Sequence, residues 1–225
     1  MQDKRRILKI RECNVNSINA RRQELTALLM EDKEAIYVFN DTRLCSRHQF
    51  EIRGFKSVRK DHRSDSSVAG GVAVFIPDCM SFVNIENDID EMLSVEVRMT
   101  DMRGVRIRTT IVTRYLHPRE RLEEGFLRDL TELSSAEFLV FMGDLNGRMG
   151  LVPGEGTNAI GTSLLNQIEE MGFLVLNNDQ PTYISSSNSS QASLDVCLIR
   201  TRQRDKLSCR ILDSVCKIYV LRRLA

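Results

Sequence analysis

The chain has 225 residues, room for one large domain or two small ones at ~150 residues per domain, and its 42% hydrophobic and 28% charged residues are a globular mix. Lys plus Arg number 32 against 31 Asp plus Glu, so net charge gives no reason to expect a nucleic acid or an anionic membrane. Apolar runs reach only five or six residues, far short of the ~20 that span a bilayer, and the amino end "MQDKRRILKI" has Lys9 inside its apolar stretch and no small-residue cleavage site, so neither a membrane span nor secretion is expected.

Residues 7–15 read as a strand, and "NSINARRQELTALLM" then shifts to helical spacing, with Ile18, Leu25, Leu28 and Leu29 on one face and Ser17 as N-cap. "AIYVFN" is a short buried strand that delivers Asp41 at its carboxyl end, completing a β-α-β start. "HQFEIRGFKSVRK" holds another strand, and "GGVAVFIPD" a further one stopped by Pro77. "LSVEVRM" alternates Val95, Val97 and Met99 with Ser94, Glu96 and Arg98, the period of a strand with one wet face. "GVRIRTTIVTRY" does the same after the turn "TDMRG", and Pro118 ends it because proline cannot donate to a ladder.

Helical spacing returns over residues 119–133 through Leu122, Phe126, Leu127 and Leu130, and "EFLVFMGDLN" follows as a central strand. "NAIGTSLLNQIEEMGFLVLNN" is a helix closed by Gly172 and then a strand. The Ser-rich "PTYISSSNSSQAS" reads as a loop, "LDVCLIR" as a strand with Asp195 at its mouth, and "DKLSCRILDSVCKIYVLRRLA" as one or two strands. With no repeats and no linker, residues 1–225 form a single domain in which strands outnumber helices. The six cysteines include no C-x-x-C pair, which reads as reduced thiols in a reducing compartment.

Polar residues recur where strands meet loops: Asn14, Asp41, Asp144, Asn146 and Asp195. In layered α/β folds such ends line a common cleft. Converging carboxylate and amide oxygens suit a hard divalent cation, which can polarise a phosphodiester for hydrolysis. "DLNG" taken alone can equally be a turn after a buried strand, since Asp, Asn and Gly dominate turns. Arg200, Arg202 and Arg204 alternate, so on a continuing strand they share one face, either a solvated edge or a weak nucleic-acid-binding stripe.

The ordered set "LKIRECNVNSINARRQELTALL", "AIYVFNDTRL", "GGVAVFI", "SVEV", "FMGDLNGRMG" and "LNNDQPTYISSSNSSQASLDVCLIR" resembles the apurinic-endonuclease-like domain of non-LTR retrotransposons, over roughly residues 5–200. That family belongs to the endonuclease/exonuclease/phosphatase superfamily. The resemblance implies an α/β or α+β four-layer sandwich, two packed mixed β-sheets flanked by helices, with the last strand region incomplete in this chain. It also implies a DNA-nicking phosphodiesterase using Mg²⁺, with Mn²⁺ as the alternative, acting on DNA as an intracellular monomer in nucleus or cytoplasm, without a membrane or small-molecule cofactor.

Carried over by position, Asn14 and Asp41 match metal-site residues and Tyr115 a tyrosine on the scissile phosphate. Asp144 matches the aspartate that orients the attacking water, Asn146 the asparagine beside the phosphate, and Asp195 an aspartate that supports a histidine. Gly143 and Gly147 are then expected to let substrate or metal approach the backbone.

Two departures stand out. Asp41 is one methylene shorter than the family's glutamate, and the family's closing Ser-Asp-His has no counterpart, "LDSVCKIYVLRRLA" standing in its place and none of His48, His62 and His117 lying there. Impaired turnover is therefore expected, with an inactive relic or nucleic-acid-binding module as the alternative. A phosphoinositide or nucleotide phosphoesterase fits the "PTYISSS…SLD" stretch less well.

Overall fold

The computed structural model describes residues 7–62, 70–100, 104–185, 187, 189–211 and 218–223. One six-stranded sheet contains β1 (Ile7–Asn14), β2 (Ile36–Asn40), β3 (Phe55–Lys60) and β4 (Val72–Pro77). The second contains β5 (Ser81–Ile85), β6 (Met92–Thr100), β7 (Arg106–Arg114), β8 (Phe138–Asp144) and β9 (Phe173–Val175). The Ser-rich stretch is a small separate hairpin of β10 (Tyr183–Ile184) and β11 (Gln191–Ala192), and β12 (Asp195–Arg200) returns to the second sheet. Finally β13 (Leu207–Ile211) and β14 (Ile218–Arg223) join the first sheet. The orders are β13-β14-β1-β2-β4-β3 and β5-β6-β7-β8-β12-β9.

Period-two patterning builds the interior. Leu8 and Ile10 of β1, Ile36 and Val38 of β2, and Val72, Val74 and Ile76 of β4 face Val95, Val97, Ile111, Val140, Met142, Cys197 and Ile199 of the second sheet in one apolar layer. The alternate residues face outward. Tyr37, Phe39 and Phe75 pack under Leu25 and Leu29 of α1 (Arg22–Glu31). Leu139, Phe141, Val196 and Leu198 pack under α2 (Phe126–Glu132) and α3 (Ala159–Met171). The expected four layers, helix on sheet on sheet on helix, are therefore present. Among the described residues no helix is long and apolar enough to cross a membrane.

Several local expectations are corrected. Ser17, at φ 90°, starts a turn by accepting from the Ala20 amide, and α1 begins five residues later with Arg21 at its cap position. α2 covers only seven residues, because Gly125 sits left-handed at φ 85° immediately before it. In the carboxyl-terminal stretch, β14 pairs antiparallel with β1 from Ile7↔Arg223 to Glu12↔Ile218, and with β13 on its other side. Cys13 is disulfide-bonded, against the reduced-thiol reading, while Cys45, Cys79, Cys197 and Cys209 are free. Chain spacing carries no signal of through-space proximity, so it missed the bonded cysteine. Gly172 closes α3 left-handed, as expected.

Candidate functional site

The inward-facing register of five strands changes from apolar to polar at one end of the interlayer space. On β1 the series Leu8, Ile10 continues to Glu12 and Asn14; on β2, Ile36 and Val38 continue to Asn40. On β8, Phe138, Val140 and Met142 end in Asp144, and β7 runs through Ile111 and Thr113 to Tyr115. β12 runs antiparallel to β8, so its first residue, Asp195, stands directly opposite Asp144. Tyr115 bridges to Asp144 on the other side, and Asn14 pairs with Asn40 across β1 and β2. A cleft of ≈ 360 Å³ opens here, lined by Asn14, Asn16, Asp41, Arg43, Tyr115, Asp144, Asn146, Thr182, Tyr183, Leu194 and Asp195. The six residues assigned to catalysis or metal thus converge from distant parts of the chain.

The cleft is tightly hydrogen-bonded. Asn14 donates through Nδ2 to Asp144 Oδ2 at 2.6 Å and accepts at Oδ1 from the Asn16 amide. The Asn146 amide donates to Asp144 Oδ1 at 2.9 Å, while Asn146 Nδ2 donates to the Leu116 carbonyl at 2.9 Å. Asn146 holds φ 51°, uncommon for a residue with a side chain, and Asn158 supports it. Asn158 Nδ2 donates to the Asn146 carbonyl at 2.9 Å, and its Oδ1 accepts from Gly161 at 2.8 Å as the N-cap of α3 and from Arg148 at 3.0 Å. Asn158→Ala is expected to remove about 1–2 kcal/mol from the cap alone, lowering Tm by about 2–8 °C in a thermal melt.

Electrostatics follow from burial. Desolvation raises Asp144 to about 6, against the lowering by the Asn146 amide and Asn14. Tyr115 is pushed above its ordinary value, first by burial and then by Asp41, Asp144 and Glu91, so its hydroxyl keeps its proton and is a donor. Behind the cleft lies Glu12, fully buried, accepting from Asn40 Nδ2 at 2.7 Å, while Asn40 Oδ1 accepts from Thr113 at 3.0 Å. Burial, then Asp195, raises Glu12 well above its ordinary value. Sequence reading missed Glu12, although a charged residue on the Leu8–Ile10 register was a visible signal.

Two other expectations change. The close approach that Gly143 permits is between strands, since a Cβ there would fall against the backbone of Arg114; Gly147 similarly admits Ile160 and Gly161 of α3. The arginine stripe does not form. β12 ends at Arg200, the next six residues, Thr201–Lys206, are a 3₁₀ turn, and Arg200 Nη2 donates to the Thr131 carbonyl. Arg200 and Arg202 therefore lie at the opposite end of β12 from Asp195 and the cleft.

The expected Mg²⁺ ligands are already committed. Asp41 accepts at Oδ1 from the Gly70 amide at 2.7 Å, and Arg43 grips both its oxygens, Nε at 3.2 Å to each and Nη2 at 3.0 Å to Oδ2. Asp144 and Asn14 bind each other. Mg²⁺ demands near-octahedral oxygen geometry at ~2.0–2.1 Å, which these engaged groups do not offer, and among the described residues no cluster of three His, Cys, Asp or Glu could hold a metal. The residues as arranged do not fit the ion. None of the three histidines lines the cleft: His48 lies against Cys45, His62 against Glu91, and His117 in the loop after β7.

No protein-family model and no curated protein matches the sequence. Solved structures do match. The endonuclease domain of TRAS1, a telomere-specific non-LTR retrotransposon, superposes with a TM-score of 0.77 at 19% identity over 97% of this chain and 99% of that one. The Xenopus laevis APE2 catalytic domain gives 0.74 at 14% identity over 96% and 92%. A Neisseria 3′ phosphatase, NExo, bound to a product DNA hairpin gives 0.64 at 15% identity over 97% and 99%. What these nuclease and phosphatase domains share with this protein is the overall fold. The chain has the endonuclease/exonuclease/phosphatase fold.

Proposed function

We propose that this protein is a retrotransposon-type phosphodiesterase domain that binds DNA in the cleft of Asn14, Asp41, Tyr115, Asp144, Asn146 and Asp195, and that its hydrolytic turnover is strongly impaired. The observation that carries the reading is Asp41: it stands among the phosphodiesterase residues, but its carboxylate is neutralised by Arg43 and the Gly70 amide. Tyr115 and Asn146 supply groups that can donate to phosphate oxygens, and Asp144 an acceptor for a water proton. Tyr183, 44% exposed at the rim, offers a face on which a base can stack. Removing one positioned acid, base or charge lowers a rate by ~10²–10⁴-fold, so a binding cleft can persist without useful turnover.

A plasmid-nicking assay with Mg²⁺, run beside a DNA-binding titration across salt concentrations, tests this. Binding is expected, weakening as salt rises because phosphate contacts release counterions, with nicking barely above background. Robust Mg²⁺-dependent nicking that Asp144→Ala abolishes would overturn the impairment. Absence of salt-sensitive binding would overturn the DNA reading.

A further inference from the structure

Asp41 and Arg43 both hold left-handed backbone, at φ 51° and φ 52°. Such conformations cost of order 1–3 kcal/mol each and persist only where the surroundings impose them. Here a backbone ladder imposes them: the Thr42 amide donates to the Gly71 carbonyl at 3.1 Å and the Arg43 amide to the Gly70 carbonyl at 2.8 Å. Gly70 in turn has φ 104°, and a Cβ there would meet the Glu91 carboxylate. The outcome is that the Arg43 side chain folds back over the Asp41 carboxylate. Asp41 is buried at 6% side-chain exposure, while Arg43 remains 37% exposed on the cleft wall.

A guanidinium has five N–H groups. Nε and Nη2 engage Asp41, which leaves Nη1 and the second hydrogen of Nη2 for another acceptor. Asp41's hydrogen bonds also strengthen the hold of the guanidinium on its proton. The arrangement is a carboxylate-anchored cation with a free donor edge, the fork that pairs well with phosphate oxygens. The cleft otherwise presents Asp144 and Asp195, so without a cation it would repel a phosphodiester.

We propose that Arg43 occupies the cation position over Asp41 and is the residue that grips a non-bridging phosphate oxygen of bound DNA, making binding independent of a divalent ion. This rests on the DNA-binding reading above. It also supplies a physical cause for weak turnover, because a single charge already neutralised by Asp41 leaves less positive charge for the developing transition state than a divalent ion would.

The test uses fluorescence anisotropy with a labelled DNA duplex, in EDTA and in millimolar Mg²⁺, together with Mn²⁺ titration read by electron paramagnetic resonance. For the unaltered chain the dissociation constant is expected to differ by less than about twofold between the two buffers, with no specific Mn²⁺ uptake. Arg43→Ala should weaken DNA binding about tenfold or more in EDTA and expose Asp41, so that Mn²⁺ binding appears and is lost again in the Arg43→Ala/Asp41→Asn double variant. Circular dichroism checks that each variant is folded; if Arg43→Ala unfolds, Arg43→Gln carries the same comparison.

DNA binding by the unaltered chain that strengthens about tenfold or more with Mg²⁺, or Asp41-dependent Mn²⁺ uptake with Arg43 in place, would overturn the proposal. A failure to bind DNA in either buffer would sink the DNA reading and the phosphate grip with it, while the Mn²⁺ titrations would still decide separately whether Arg43 holds the cation position.

Discussion

Gly143→Ala is expected to lower Tm by about 6–12 °C. A Cβ at residue 143 would sit 2.9 Å from the Arg114 amide nitrogen and closer still to the Arg114 carbonyl oxygen. These are backbone atoms of β7 in the centre of a sheet, so no side chain can swing aside. Overpacking in a rigid core typically costs 1–3 kcal/mol and occasionally more; with backbone as the obstacle, about 3 kcal/mol sets the scale, or about 2–4 °C per kcal/mol for a chain of this size. β7 and β8 would have to separate next to the Tyr115–Asp144 bridge, so DNA binding should fall with stability. A thermal melt matching the unaltered chain would show that the two strands are not held this close.

The second large effect concerns the buried chain Glu12–Asn40–Thr113. Asn40→Ala leaves Glu12 and Thr113 without their common partner in a fully buried site, where stranding a polar group costs ~1–3 kcal/mol and more for a charged one. The penalty is pH-dependent, with a definite sign. Glu12 is raised above its ordinary value of 4.5 in the folded state, so the folded chain binds the proton more tightly than the unfolded chain. Stability from this group is present below 4.5 and is lost as pH rises towards and through its folded value.

Asp144 acts in the same direction between 3.8 and about 6. In metal-free buffer, thermal melts from pH 4 to pH 9 should therefore show Tm declining with pH. Because Asn40 favours the ionised form of Glu12, Asn40→Ala should steepen the decline, while Glu12→Gln should flatten it. A pH-independent Tm difference between Glu12→Gln and the unaltered chain would show that Glu12 does not carry this linkage.

Much of this molecule was legible because the core strands are short apolar runs, buried on both faces and bounded by glycine, proline or polar residues, or alternate with a two-residue period as in "SVEVRM". "AIYVFN", "GGVAVFI", "SVEVRM" and "EFLVFMGD" each became a strand near the expected bounds, and Asp41 and Asp144 at the ends of the first and last line the cleft. What was missed lacks that period or depends on contacts across the chain. β5, Ser81–Ile85, is a half-exposed edge with little apolar pattern, and β10 and β11 are two residues each. The helix expected from residue 119 starts at Phe126, after left-handed Gly125, although Leu122 is buried in the same apolar cluster as the helix.

Arg43 was invisible for a different reason. A spacing of two puts side chains on one face only within a strand, and both residues lie beyond the end of β2, so only the pair of left-handed residues folds Arg43 back over Asp41. The burial and charge that act on Glu12 likewise come in part from Asp144 and Asp195, far along the chain. Asp41 lines the cleft to which the sequence reading assigned it, and what sequence could not show is that Arg43 and the Gly70 amide already hold its carboxylate.

The cleft is, at bottom, a matter of odd and even. Its residues on β1, β8 and β12 all occupy the inward parity of their strands, so inserting one residue into Phe138–Asp144 would turn the Asp144 carboxylate from the cleft towards the helices. Inserting two would restore the parity but slide the carboxylate by about 6.6 Å along the strand, past Asn14 and out of line with Asp195. Drift in this protein can therefore alter the rim, whereas length within the three strands is locked to a whole-number condition that substitution alone cannot relax.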